Sequence, residues 1–132
     1  MILPTDTIVA VADGEKLNLF RNTGTETELS LIAAADQDVE AAIGAGGSNS
    51  SSANPDQSRV QEDGFATGIV AMLNQRVLAG KFSNIVIIAA PKTLGEMRKH
   101  YHKKLEGALL GEIAKDLTGH PIADIEKTIL AA

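Results

Sequence analysis

The sequence predicts an α/β (α+β) domain in which a mixed five-stranded sheet is flanked by helices, in the order β-β-β-α-β-α-β-α. Three observations support it. Apolar residues alternate over the first 35 residues, recur at helical spacing after residue 60, and form a continuous run at 84–90. Strands and helices are interspersed late in the chain, so a sheet covered by helices would bury both kinds of apolar face. The length of 132 residues, with 44% hydrophobic residues, predicts a single domain, 1–132.

The first three predicted strands form an antiparallel meander. The stretch TIVAVA, residues 7–12, runs into Asp13-Gly14, a dipeptide typical of a two-residue type I′ turn, and EKLNLF follows at 15–20. A turn containing glycine then leads to ELSLIAA at 28–34, where alternate apolar residues share one face.

A long helix is predicted over about residues 60–80. Ser58-x-x-Gln61 has the pattern of a capping box at its start, and Gly80 is expected to end it. The predicted apolar stripe consists of Phe65, Ile69, Met72, Leu73 and Val77. The run NIVIIAA at 84–90 then predicts the central strand, covered on both faces.

A second helix is predicted from another capping box, Thr93-x-x-Glu96. Its predicted apolar face consists of Leu94, Met97, Tyr101 and Leu105. Continued past Gly107, this helix would place Glu112 in the middle of the apolar stripe. The pattern therefore favours a break there and a fifth strand at 108–115.

The last predicted element is a short helix that starts at Pro121, a residue favoured at the first helical position. Its apolar residues are Ile122, Ile125 and Ile129. Just upstream, Asp116 is predicted to fix the turn into this helix by local hydrogen bonds.

Charge is unevenly distributed along this acidic chain, whose net charge is -5. Residues 1–75 hold three Lys/Arg against eleven Asp/Glu, whereas residues 76–104 hold seven against one. The candidates for RNA binding within this basic segment are Arg98, Lys99, Lys103 and Lys104. Such side chains can follow a phosphate backbone, although a solvated helix face is the alternative. Few aromatic residues are available for base stacking, so sequence-specific reading of nucleic acid, including DNA, is not expected.

Composition also bounds the cellular setting. The chain has no cysteine, which excludes disulfides and thiol chemistry and suits the cytoplasm. The segment MILPTDTIVAVADGE has no basic leader, and its apolar run is too short to span a membrane. These features predict a cytoplasmic protein with no membrane association.

The most polar stretch is a Gly/Ser/Asn-rich loop at 41–59, which contains GAGGSNSSSANPDQSR. It is predicted to be flexible, and it is either a recognition loop or a solvated excursion. The functional candidates within it are Gly46, Gly47, Ser48, Gln57 and Arg59. It lacks the third glycine of a dinucleotide-binding motif and contains no P-loop, so no nucleotide cofactor is predicted.

The residue pattern gives little support to metal binding or to hydrolysis. His100 and His102, two positions apart on the predicted helix, would point away from each other and could not share an ion. Three carboxylates cluster after the third predicted strand, Asp36, Asp38 and Glu40. They are explained as the polar residues with which a strand leaves the sheet, rather than as the metal-binding carboxylates of a nuclease. No metal or other cofactor is therefore predicted, and no histidine is spaced to activate a loop serine.

Three stretches carry a family resemblance: IVAVADGEKLNLF, FSNIVIIAAPKTLGEMRKHYHKKL and EIAKDLTGHPIADIEKTIL. They resemble the bacterial proteins named for being required for attachment to host cells, which are grouped with the bacterial relatives of archaeal and eukaryotic peptide-chain release factors. The resemblance covers essentially the whole chain. It implies a ribonuclease-H-like sheet similar to the middle domain of release factors.

In that middle domain, the loop before the long helix carries a Gly-Gly-Gln motif, which helps water attack the peptidyl-tRNA ester. The corresponding loop here contains Gly46-Gly47 followed by Ser48, and the nearest glutamine is Gln57. The catalytic glutamine of the family therefore does not carry over.

Three functions stay open at this point. The first is binding of RNA, with the ribosome or tRNA as partner, in translation or ribosome rescue without an intact Gly-Gly-Gln motif. The second is a non-enzymatic protein-interaction factor linked to host attachment or stress. The third is a hydrolase that acts on peptidyl-tRNA through Gln57 or a loop serine. Exposed strand edges would also allow a homodimer.

Overall fold

The computed structural model describes residues 1–34 and 55–132, with side chains in the second range from Gly64 onward. The strands are β1 (Ile8–Ala12), β2 (Leu17–Asn22), β3 (Leu31–Ala33), β4 (Ile85–Ala89) and β5 (Leu109–Ala114). The helices are α1 (Pro55–Leu78), α2 (Pro91–Arg98), α3 (Lys103–Ala108) and α4 (Ile122–Ala131). No helix in these ranges combines the length and the apolar character needed to cross a membrane.

The five strands form one mixed sheet in the order β3-β2-β1-β4-β5. β1 pairs with β2, and β2 with β3, in antiparallel fashion, whereas β1–β4 and β4–β5 are parallel. The predicted mixed sheet and meander are confirmed. The prediction that 84–90 forms the central strand is wrong, because β1 is the middle strand of the five and β4 lies next to it. The meander places two strands on the far side of β1, whereas only β5 lies beyond β4.

The sheet separates two apolar cores. Alternate side chains of a strand point to opposite faces, so β1 and β4 supply both cores. On one face, Ile8 and Ile87 pack in a core with Leu73 of α1, Met97 of α2 and Leu105 of α3. The core on the other face contains Val9, Val11, Val86 and Ile88 with Ile125 and Ile129 of α4. All five residues of β4 are buried, as predicted for a strand covered on both faces.

The turn between β1 and β2 differs from the predicted type I′ turn. That turn needs positive φ at both central residues, and neither Asp13 nor Gly14 has it. Instead, Oδ1 of Asp13 accepts hydrogen bonds from the backbone N–H groups of Glu15, at 2.7 Å, and Lys16, at 2.6 Å. The aspartate side chain thus stabilises the turn without left-handed backbone.

Both predicted capping boxes are wrong, because each helix starts earlier, at a proline. α1 begins at Pro55 and α2 at Pro91, and the residue that caps α2, Ala90, offers no side-chain hydrogen bond. Proline suits the first turn because its missing N–H would have no partner there. The predicted end of α1 is confirmed, since the helix stops at Leu78 and Gly80 adopts a φ of 77°.

Later elements follow the prediction except at one point. β5 and α4 form where expected, with Pro121 immediately preceding the last helix. The predicted second helix, however, is two helices separated by residues 99–102. β3 and β5 are the two edges of the sheet, with Ile32 and Leu110 exposed on them. The homodimer that such edges would allow stays untested.

Candidate nucleic-acid interface

The break between α2 and α3 is held by a side chain from α1. The last turn of α2 closes through the N–H of Lys99 bonded to the Glu96 carbonyl and the N–H of His100 bonded to the Met97 carbonyl. Nδ2 of Asn74 then donates to the carbonyl of His100 at 3.1 Å, and the N–H of His102 donates to Oδ1 of Asn74 at 3.0 Å. One amide therefore satisfies backbone groups of two linker residues.

A histidine caps the helix that follows. Nδ1 of His102 accepts the N–H of Lys104 at 3.0 Å, with His102 in an extended conformation. This is the geometry of an N-cap, although histidine is not among the residues usually found there. The sequence interpretation of His100 and His102 as helical neighbours is therefore wrong, since both lie in the linker.

The break separates the four predicted basic residues into two pairs. At the end of α2, Nε of Arg98 lies 3.3 Å from both carboxylate oxygens of Glu112, and Nζ of Lys99, the first linker residue, lies 2.9 Å from Oε2 of Glu96. On α3, Lys103 and Lys104 are exposed, and no carboxylate in the described ranges lies within ion-pair distance of either. The two lysines of α3 therefore present charge that this part of the chain does not neutralise.

Glu112 is the carboxylate that pairs with Arg98 of the first pair. It lies on β5 opposite Ile87, whose side chain is buried beneath the helices, and its own side chain is 24% exposed. Besides Arg98, it accepts a hydrogen bond of 2.6 Å from the hydroxyl of Tyr101. A carboxylate turned toward an apolar core needs such partners. The prediction that Glu112 does not fit the apolar stripe of a helix is thus confirmed by its position on a strand.

Two pKa shifts follow from these contacts. Burial, and then the hydrogen bond to Glu112, raise the pKa of Tyr101 well above its ordinary value, so the phenol stays a donor. The hydrogen bond from Lys99 lowers the pKa of Glu96 below its ordinary value, and the positive charge of Lys99 adds to this effect. Glu96 therefore remains ionised beside Lys99, and an anion that approaches this lysine also meets the carboxylate.

A shallow groove of about 680 Å³ opens beside the unpaired lysines. Its polar lining side chains are Lys103, Lys104 and Ser83, and no lining residue is acidic. Its remaining lining residues are Val77, Gly80, Phe82, Gly107 and Ala108. The groove thus lies between the end of α1, the segment before β4 and the short helix α3.

The predicted loop candidates lie outside the part of the chain whose side chains the structure describes. Gly46, Gly47 and Ser48 lie outside the described residues, as do Asp36, Asp38 and Glu40. Gln57 and Arg59 lie in the first turns of α1, but their side chains are outside the described part of the structure. The role of the loop therefore stays a prediction.

A second polar cluster lies at the carboxyl ends of β1 and β5. Asp116 accepts hydrogen bonds from the N–H of Thr118 at 3.1 Å and from its hydroxyl at 2.6 Å, which confirms the predicted local role of Asp116. The same hydroxyl lies 2.7 Å from Oδ2 of Asp13 and ties the two turns together. Partial burial opposes ionisation of Asp13, but its hydrogen bonds outweigh burial and lower the pKa of this carboxyl.

Within the described ranges, no group of three or more His, Asp or Glu side chains is placed to hold a metal ion. Sequence reasoning missed the residues that build the interface: Asn74, the capping role of His102, and Ser83 and Gly107 of the groove. His102 alone left a local signal, because it stands immediately before the lysines that begin α3.

The fold and this surface define a mixed α/β domain with a basic face built on a helix break. A comparison with known families gives its membership. Residues 6–129 match the model of bacterial archaeo-eukaryotic release factor family 12, and the chain belongs to that family. No curated protein matches the chain. The predicted kinship with release factors is confirmed, whereas the attachment-protein name stays a prediction.

Proposed function

We propose that this protein is a cytoplasmic factor that binds RNA, with the ribosome or tRNA as its partner, in a translation-related role. Membership of a release-factor family supports this proposal. The observation that carries it is the pair Lys103 and Lys104, adjacent, exposed and without a carboxylate partner among the described residues. On an otherwise acidic protein, such a pair marks the surface that a polyanion approaches.

Binding through these lysines is independent of base sequence. Phosphate contacts position a nucleic acid but carry no sequence information. The aromatic residues near the lysines are poorly placed for stacking, because Phe82 is 6% exposed and Tyr101 is partly buried against the apolar core. The protein therefore binds RNA by charge rather than by base sequence, without peptidyl-tRNA hydrolysis by a Gly-Gly-Gln motif.

The test is cosedimentation with ribosomes, and filter binding to tRNA, at low and high salt. The wild type should bind at low salt and dissociate as the salt concentration rises. Lys103→Glu/Lys104→Glu should abolish binding. Lys115→Glu/Lys127→Glu is the matched control, because it makes the same change of net charge at two exposed lysines outside the groove, and it should still bind. Absence of wild-type binding at low salt would reject the proposal and favour the protein-interaction alternative.

A further inference from the structure

The groove beside α3 has the chemistry of a site for a sugar–phosphate chain. Lys103 and Lys104 bring two ammonium groups to it, and Ser83 adds a hydroxyl for which the described residues contain no hydrogen-bond partner. No acidic residue lines the groove, so the charged side chains of its lining all attract an anion. These features favour a ligand that carries more than one negative group.

Two glycines line the groove and contribute no side chain to it. A Cβ added at Gly80 or at Gly107 would meet nothing within 4 Å, so neither position is filled by neighbouring atoms. Glycine allows a ligand to approach the backbone closely, which suits a bulky ribose between phosphates. Phe82 and Ala108 are buried in the groove lining, so they offer an apolar surface but no exposed ring for a base.

We infer that this groove binds the phosphodiester backbone of an RNA strand, with phosphates on Lys103 and Lys104. This inference rests on the proposed function and adds a location to it: the strand lies in the groove, in contact with its glycine walls. An RNA strand held only by long-range attraction would lie near the lysines without entering the groove. The bases face away, so oligo(U) and oligo(A) should bind equally well.

The experiment blocks the groove and leaves every lysine in place. Gly107→Leu adds a side chain in open space within a helix, where no backbone strain arises. Gly95→Leu is the matched control, because Gly95 is also helical, also has nothing within 4 Å and does not line the groove. Fluorescence anisotropy with labelled oligo(U) and oligo(A) measures affinity, and thermal melting verifies folding. A second pair, Ser83→Asp and Ser30→Asp, places a carboxylate in the groove or at a distant exposed serine.

Gly107→Leu and Ser83→Asp should each weaken the binding of both oligonucleotides by about tenfold or more, because the added leucine side chain obstructs the strand and the added carboxylate repels its phosphates, while their controls bind like the wild type. If the Lys103→Glu/Lys104→Glu variant loses binding but Gly107→Leu and Ser83→Asp do not, the groove inference is overturned and the proposed function stands. If the wild type binds neither oligonucleotides, tRNA nor ribosomes, both are overturned. Should Gly107→Leu fail to fold, Ser83→Asp decides alone.

Discussion

The four candidate basic residues form two halves, one on each side of the helix break, which carry the same charge but are used differently. Arg98 and Lys99, at the end of α2, contact Glu112 and Glu96 within the same chain. Lys103 and Lys104, at the start of α3, have no such partner in the described ranges and border a groove. The first half forms ion pairs within the chain, and the second half is available to a binding partner. A count of charges along the sequence cannot make this distinction, because it depends on which carboxylates the fold brings near.

Asn74 is responsible for the separation of the two halves. By bonding the backbone at His100 and His102, it ends one helix and positions the next. If α2 continued without a break, Lys103 and Lys104 would lie on one helix with Arg98 and Lys99. The predictions below test each half, and the link between them, by stability and then by binding.

The largest expected change in stability is in the paired half. Glu112→Ala should lower the free energy of unfolding by about 2 kcal/mol, because Arg98 and the partly buried hydroxyl of Tyr101 both lose their acceptor. Urea unfolding measures it. Glu106→Ala removes an exposed carboxylate from α3 and serves as the control, with a change within about 0.5 kcal/mol. Equal stability of the two variants would mean that Glu112 does not hold the paired half.

The second-largest change in stability is expected at Asn74, whose side chain links the two halves. Asn74→Ala removes two hydrogen bonds to the linker and should cost about 1–2 kcal/mol in urea unfolding. It should also weaken tRNA binding, because α3 is no longer fixed relative to α1. Gln75→Ala, an exposed neighbour on the same helix, should change neither quantity. Unaltered tRNA affinity in Asn74→Ala would show that the lysines do not need the linker.

The cap of α3 should have an effect of about 1 kcal/mol. His102→Ala leaves the N–H of Lys104 without its side-chain acceptor. His102→Asn should recover most of the loss, because asparagine is among the best N-cap residues. Thermal melting of the three proteins is the measurement. An asparagine variant as unstable as the alanine variant would argue against capping as the role of His102.

The smallest effect is expected at Lys99. Its ion pair with Glu96 is at the surface, where the lysine side chain is 68% exposed. Exposed pairs of this kind contribute little to stability, so Lys99→Ala should unfold at nearly the same urea concentration as the wild type. A loss as large as that of Glu112→Ala would place Lys99 within the structural core of the paired half.

Local patterns predicted most of the fold, because the residues that decide it are close in sequence. The apolar run of β4 and the spacing of Ile69, Met72 and Leu73 in α1 were sufficient for those elements. The misfit of Glu112 in a helical stripe correctly indicated β5. The prolines were underestimated as helix starts, since Ser58 and Thr93 offered a competing capping pattern.

The site was less accessible to sequence reasoning. Leu94, Met97 and Leu105 are all buried as predicted, so their helical spacing is real although the helix is interrupted. The interruption depends on Asn74, which lies 26 and 28 residues from its two partners in the chain. No local pattern reports a contact of that separation. The choice of Lys103 and Lys104 over Arg98 and Lys99 therefore required the folded structure.

The most direct test of the contrast between the two halves is the salt dependence of tRNA affinity in three single variants, Lys99→Ala, Lys103→Ala and Lys104→Ala. Each removes one positive charge, so long-range effects are matched. A lysine that contacts phosphate contributes about 1 to the slope of log affinity against log salt concentration. The slope should fall by about 1 for Lys103→Ala and for Lys104→Ala, and should stay at the wild-type value for Lys99→Ala. The same decrease of the slope in all three variants would contradict the division of the four basic residues into a paired half and a half available to a partner.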